Sequence, residues 1–416
     1  MDDFMRSSRH HGLGFWAVGY SFLVVMAFSA IPTPLYVLYQ ARDGFSTFMI
    51  TVIFAAYAVG VVISLFFAGH SSDWLGRRRA LAPAVALSGV AAIIFLVWPD
   101  LPGLLIARVL SGFAVGVVTA TATAYIVELA AAHRPDGSIR RAQAIAGAAN
   151  IGGIGFGPLF AGVLAQWAPD PLHLPFEIAL VALAIGVVVI LLSPETRTPA
   201  SPRPSYRPQR IAVPAAERPR FFAAALGGAV AFAAFGIFTS LAPTFLAGTL
   251  HHQSRALAGA TTFAVFAAAI VAQTLTAALP VRRLLIGGMG ALVAGVLLLV
   301  LAVWLPTPSL AVFLIGGVVA GAGAGLLFKG SIATVAALAP PESRAEVLAG
   351  FFLAGYLGIS VPVVGVGLLT QVLDARTALA IFAGVVVLAV LIAARTLLRA
   401  QAPGATVGAA APALAR

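Results

Sequence analysis

Two cations sit inside otherwise apolar runs of this chain, Arg108 and Lys329. An arginine or lysine at mid-bilayer costs at least about 2.5–3.5 kcal/mol on insertion scales, so each needs a partner, a wet cavity or a route to the interface. Arg108 lies eight residues after Asp100, close enough to an interface for its stem to snorkel. Lys329 is the single lysine, between Gly325 and Gly330. It can exchange a proton, receive an anion, or snorkel along its four-carbon stem. Glu128 closes the run that holds Arg108. Glu177, four residues after His173, opens another run. It is a candidate proton carrier, although an interfacial place fits it better. The chemistry open to these groups is ion pairing and proton exchange in a low dielectric, not bond making.

Uncharged polar and aromatic residues within the runs are candidates for a substrate cavity. They are Thr33, Tyr36, Tyr57, Asn150, Phe235, Phe238, Gln273 and Tyr356. Singly, each suits helix packing. Together they describe a mostly apolar pocket with sparse polar groups, the usual form of a small-molecule site. Pro32 and Pro34 break the first run and free backbone groups that need partners or a cavity.

Enzyme chemistry finds little support. The chain has no cysteine, which removes thiol catalysis and thiolate metal sites. Its seven histidines (10, 11, 70, 133, 173, 251 and 252) fall in or beside the segments between runs. HExxH, GxSxG and GxxxxGK(S/T) do not occur. The reading calls for no cofactor and no metal.

The elements that must position these residues are membrane helices. Of 416 residues 61% are apolar and 9% charged, against about 25% charged in a soluble domain. Apolar runs fall at about 13–39, 46–68, 80–98, 101–127, 142–167 and 174–193. A second series falls at about 221–247, 257–279, 284–305, 309–337, 346–370 and 377–398. Each reaches the roughly 20 residues that a helix needs to span. Continuous runs of this length also disfavour a transmembrane barrel.

The predicted organisation is all-α. A cytoplasmic segment (1–12) precedes a six-helix bundle (13–193). A linker (194–220) with seven prolines and six arginines leads to a second six-helix bundle (221–399) and a disordered tail (400–416). The net charge of +11 reflects topology rather than nucleic-acid binding. With the N-terminus inside, 20 of the 25 basic residues fall on the cytoplasmic side and three on the other. That bias puts both termini in the cytoplasm.

The two halves echo each other. Gly112/Gly116 in the fourth run match Gly321/Gly325 in the tenth, and Pro158 in the fifth matches Pro362 in the eleventh. Six plus six helices with weak internal symmetry is the repeat pattern of a secondary transporter, its site near the midplane between the halves.

The segment after the second run reads Gly69-His-Ser-Ser-Asp73-Trp-Leu-Gly76-Arg77-Arg78-Arg79. It resembles the signature loop of the major facilitator superfamily, GxxxD(R/K)xGR(R/K), departing at Trp74 where the family carries a base. The resemblance extends over about 13–398. It implies a conformational latch formed by Gly69, Asp73, Gly76, Arg77 and Arg78, with Glu128 pairing with Arg77 when the protein opens outward. Arg108-Val-Leu-Ser-Gly112-Phe-Ala-Val-Gly116 resembles the family's fourth-helix motif and implies a part in proton coupling or a polar anchor. Gly153-Ile-Gly-Phe-Gly157-Pro158-Leu-Phe-Ala-Gly162 resembles the GxxxGPxxGG motif of the drug:proton antiporters, in which glycines allow close helix approach and proline bends the helix. Pro194-Glu195-Thr196-Arg197 is also familiar from the family, though short.

The resulting expectation is an alternating-access carrier in a bacterial inner membrane, acting as a monomer. It exports small apolar or amphipathic compounds against protons. The first helix carries no carboxylate, which weakens a claim for cationic drugs. An importer of a sugar or organic anion, held by Arg108 and Lys329, is the alternative. A polytopic enzyme or receptor is a more distant one.

Overall fold

The computed structural model describes residues 2–67, 71–134, 137–197, 213, 215–339 and 344–399. Among them the regular structure is helical throughout, and twelve helices are long and apolar enough to cross a membrane. The first six are α1 (Asp2–Ala30, resuming as Pro32–Asp43), α2 (Thr47–Phe67), α3 (Arg77–Val97), α4 (Leu101–His133), α5 (Ile139–Trp167) and α6 (Leu174–Leu191). The second six are α7 (Arg218–Ser240), α8 (Arg255–Leu275), α9 (Val281–Trp304), α10 (Leu310–Leu338), α11 (Arg344–Leu369) and α12 (Ala375–Arg399). An even count puts the start of α1 and the end of α12 on one face, called here the terminal face.

The helices overrun the hydropathy limits at their polar ends. At 1.5 Å per residue, the 33 residues of α4 span about 50 Å, well beyond the roughly 30 Å hydrocarbon core. Glu128, about 40 Å along α4, therefore stands in the polar zone of the terminal face. The linker expectation (194–220) and the tail expectation (400–416) fall mainly outside the described residues. Of the linker, residues 194–197 are non-helical, Ala215–Glu217 form a 3-10 turn, and α7 begins at Arg218.

Each half has its own buried apolar core. One is built from residues between Val18 and Ile190, joined by Val363, and the other from residues between Phe221 and Leu397. The halves meet chiefly through α5 with α8 and α11 with α2. Those two pairs exchange under the six-plus-six repeat, so the interface has the pseudo-symmetry expected of the internal duplication.

The contacts between halves gather toward the face opposite the termini. Thr33 Oγ1 donates to the Thr239 carbonyl at 2.9 Å, and the Arg255 N–H to Gln166 Oε1 at 2.9 Å. Gly367 packs on Thr51, and Gly259 on the Pro158 carbonyl. Toward the terminal face α5 and α8 still approach at Gly152 and Ile270. Beyond that point, Gln143, Gly147 and Gln273 face a cavity instead of each other.

Candidate functional site

The cavity lies between the halves and encloses about 360 Å³. Its wall divides by origin. The N-terminal half supplies Ser29, Thr33, Phe54, Tyr57, Arg108, Thr119, Thr123, Gln143 and Asn150. The C-terminal half supplies Phe232, Phe235, Phe266, Phe328, Phe352, Gln273 and Tyr356. Among the described residues, five of the six phenylalanines in the wall thus come from the second half, and its one charge comes from the first. The rings contact one another: Phe235 stacks on Phe266 at 4.7 Å, and Phe232 meets Phe328 and Tyr356 at 5.5 Å each.

Arg108 is 2% exposed. It enters about 10 Å along α4 and does not snorkel. Pro32 and Pro34 interrupt the helix, so the turn before them lacks its full set of backbone hydrogen bonds. In that turn the Ser29 carbonyl accepts Arg108 Nη1 at 2.6 Å. The guanidinium carbon lies 4.6 Å from the Tyr57 ring centre and 5.9 Å from that of Phe54. The negative faces of those rings partly offset the cation. Arg108 Nε is buried without a partner among the described residues. Thr119 Oγ1, also on α4 and in the wall, is another buried polar atom with none.

Of the eight residues expected in the cavity, Thr33, Tyr57, Asn150, Phe235, Gln273 and Tyr356 line it. Tyr36 and Phe238 do not. Tyr36 sits in the resumed part of α1, 2% exposed within the core of the first half. Phe238, 1% exposed, is turned away from Phe235 and packs against Phe313 and Gly317. Three residues advance a helix face by about 60° from a full turn, enough to move one ring into the core while its neighbour faces the cavity.

Lys329 is not part of the wall either. Its Nζ donates to the Gln273 backbone carbonyl at 2.6 Å, and Gln273 Nε2 donates to the Gly325 carbonyl at 3.1 Å. This reciprocal pair ties α8 to α10 near the terminal face. Glu177 stands exposed in the first turn of α6, away from the cavity. A carboxylate there is at a helix N-terminus, where negative charge is favoured, and Glu177 is not among the residues that line the cavity.

At the terminal face a polar knot closes the first half. Arg77, buried, places Nη2 2.9 Å from Glu128 Oε1 and donates through Nη1 to Ser72 Oγ at 2.7 Å. Glu128 also accepts from Thr196 Oγ1 at 2.6 Å and Arg197 Nε at 3.3 Å. Glu195 accepts the N–H groups of Arg77 and Arg78 at 2.8 and 3.0 Å. A carboxylate on the free N–H groups of a helix start satisfies donors that lack intrahelical partners. Gly76, at φ 101°, makes the turn before α3, and a Cβ there would collide with the Glu195 carboxylate. The Pro194–Arg197 string carried the signal for this cap, but its spacing alone could not say which helix it would reach. Gly69 lies outside the described residues. Asp73 belongs to a short helix, Ser71–Leu75.

The Arg77–Glu128 pair that the resemblance implies is formed here, within the first half, while the halves are joined on the opposite face.

In α5, Gly153 packs on Met26 and Leu23 of α1, and Gly157 on the Ala27 backbone. Gly162 packs on the Arg255 backbone of α8. Pro158 lies inside α5 and Pro362 at the matching place inside α11. The motif thus lets one helix touch its own half on one side and the other half on the other.

Twelve spanning helices in two related halves around a central cavity define an integral membrane transporter. The family model of the Major Facilitator Superfamily matches residues 18–279 and again 224–414, and the chain belongs to that superfamily. The arabinose-proton symporter of Bacillus subtilis (strain 168) is 30% identical over 119 residues, 29% of this chain and 24% of that protein. The chain therefore aligns with about a quarter of that relative's length. A crystal structure of a peptide transporter POT with bound alafosfalin superposes with a TM-score of 0.73 at 14% identity, covering 93% of this chain and 94% of the other. A bacterial homolog of the human lysosomal transporter Spinster, inward-facing and unoccupied, gives 0.66 at 15% identity over 94% and 98%. At such identities the likeness is one of fold.

Proposed function

We propose that this chain is a secondary transporter that moves a small amphipathic organic compound by alternating access and exports it in exchange for protons. The observation that carries the reading is the 360 Å³ cavity between the halves, with a largely polar wall on the first half and a largely aromatic one on the second. Contacts between the halves seal it toward the opposite face. Rocking about the α5–α8 and α11–α2 contacts would expose it alternately to the two sides. Export against protons rests on the resemblance of Gly153–Gly162 to the antiporter motif. The basic-residue bias supports a bacterial inner membrane with cytoplasmic termini, and the cavity is complete within one chain, as a monomer requires. In this scheme Asp73 and its loop latch the halves at the terminal face, and the Arg77–Glu128–Glu195 knot holds that loop in shape.

Everted membrane vesicles with an acid interior test the reading. Added substrates should dissipate the pH gradient, and the response should be absent from empty-vector vesicles. Substrate flux with no gradient dissipation would remove the proton exchange and leave the carrier.

A second reading, import of a sugar or organic anion, draws on one observation, the buried and unpaired guanidinium of Arg108 in the cavity wall. The partial match to a sugar-proton symporter is compatible with it. Lys329, the other cation of this reading, donates to the Gln273 carbonyl and lies outside the residues that line the cavity.

A further inference from the structure

Among the described residues the cavity wall carries one formal charge, that of Arg108, and no aspartate, glutamate, histidine or lysine beside it. Along α4 the nearest acids in sequence, Asp100 and Glu128, lie about 12 and 30 Å of helical rise away. No carboxylate pairs with Arg108 among the described residues. A buried charge without a counter-charge is costly, and the Ser29 carbonyl and the Tyr57 ring offset it only in part. Arg108 lines the cavity, and its Nε is buried without a partner among the described residues.

We infer that the transported compound is an organic anion with a single carboxylate-like head and an apolar or aromatic body. The inference rests on the transporter reading and assigns the substrate class of that same cavity. The head meets Arg108 on the first half, where a planar two-oxygen group matches the guanidinium edge. The body lies among Phe232, Phe235, Phe266, Phe328 and Phe352 of the second half. Such a ligand touches both halves, as a carrier that moves the halves about its substrate requires. A neutral compound of the same shape would leave the charge unpaired. An amine would add a second positive charge beside it.

The test uses the purified full chain, with a panel of one- to three-ring aryl acetates, each matched by its primary amide and its ethylamine analogue. Thermal stabilisation reports binding, and flux of the labelled compounds into proteoliposomes reports transport. We expect the carboxylates to stabilise the protein at concentrations at least tenfold below their amides, with no stabilisation by the amines. Arg108→Gln should bring carboxylate and amide to equal affinity, and Arg108→Lys should keep part of the preference. If Arg108→Gln does not fold, the wild-type comparison and Arg108→Lys still decide. Amides or amines that bind as well as the acids would overturn the inference and leave the transporter reading intact. So would stabilisation by no carboxylate of a demonstrably folded protein. Carboxylates that bind without crossing would uphold the anion site and sink the transporter reading.

Discussion

Gly259 of α8 lies so close on the Pro158 carbonyl of α5 that a Cβ there would overlap it. This contact joins the two halves at the face opposite the termini, with Gly162 against the Arg255 backbone beside it. Close backbone approach of this kind supplies packing where no hydrophobic effect drives helices together. It also makes the contact sensitive to a single side chain.

Gly259→Val should therefore pry α5 from α8 and favour the state open at that face. The chain has no cysteine, so a cysteine introduced at Thr239, buried at this seam, reports directly. Its labelling by a membrane-impermeant maleimide from that face should rise several-fold in the Gly259→Val background. Unchanged labelling, with protein in the membrane, would show that the seal does not depend on this contact.

Glu195 holds the first two N–H groups of α3. Loss of a capping side chain costs about 1 kcal/mol, and with an unfolding entropy of about 2.1 cal/mol/K per residue that is a fall of roughly 1 °C in Tm for a chain of 416 residues. Glu195→Ala should show such a fall in detergent, and Glu195→Gln a smaller one. Equal Tm values for all three proteins would mean that Thr196 and Arg197 hold the turn without it.

The latch makes a separate prediction. Asp73→Asn should cut transport by tenfold or more while expression stays near normal, because the change removes a charge and almost no volume. Arg77→Ala should instead reduce stability, since it leaves Glu128 without its closest cation. Full turnover in Asp73→Asn would remove the latch from the mechanism.

Lys329 and Arg108 should separate cleanly. The lysine is tied to Gln273 outside the cavity wall. Lys329→Gln should lower thermal stability yet keep the carboxylate-over-amide preference. A lost preference would place the ammonium in the substrate path after all.

The unpaired guanidinium has a kinetic consequence. An empty carrier must pass through its occluded state with Arg108 uncompensated, whereas an anion-loaded one need not. If the difference reaches about 1.4 kcal/mol, exchange runs tenfold faster than net flux. Counterflow of a labelled anion against unlabelled anion inside the vesicle should exceed its net uptake by at least that factor. Equal rates would mean that the empty protein re-orients without penalty.

Hydropathy alone determined the twelve spans and their grouping, because a helix in lipid must satisfy its own backbone and bury about 20 apolar residues. The repeat of Gly/Pro positions, together with the loop motif, was enough to suggest the family. Periodicity could not settle which face of a helix meets the cavity. Phe235 and Phe238 look alike in sequence, and only packing sends one into the cavity and the other against Phe313. Arg108 and Lys329 were equivalent intramembrane cations on paper. The tertiary structure gives the lysine a backbone carbonyl on the neighbouring helix and leaves an arginine nitrogen unpaired in the cavity wall. Charge cost in lipid depends on partners brought from distant parts of the chain, and spacing along one helix does not encode them.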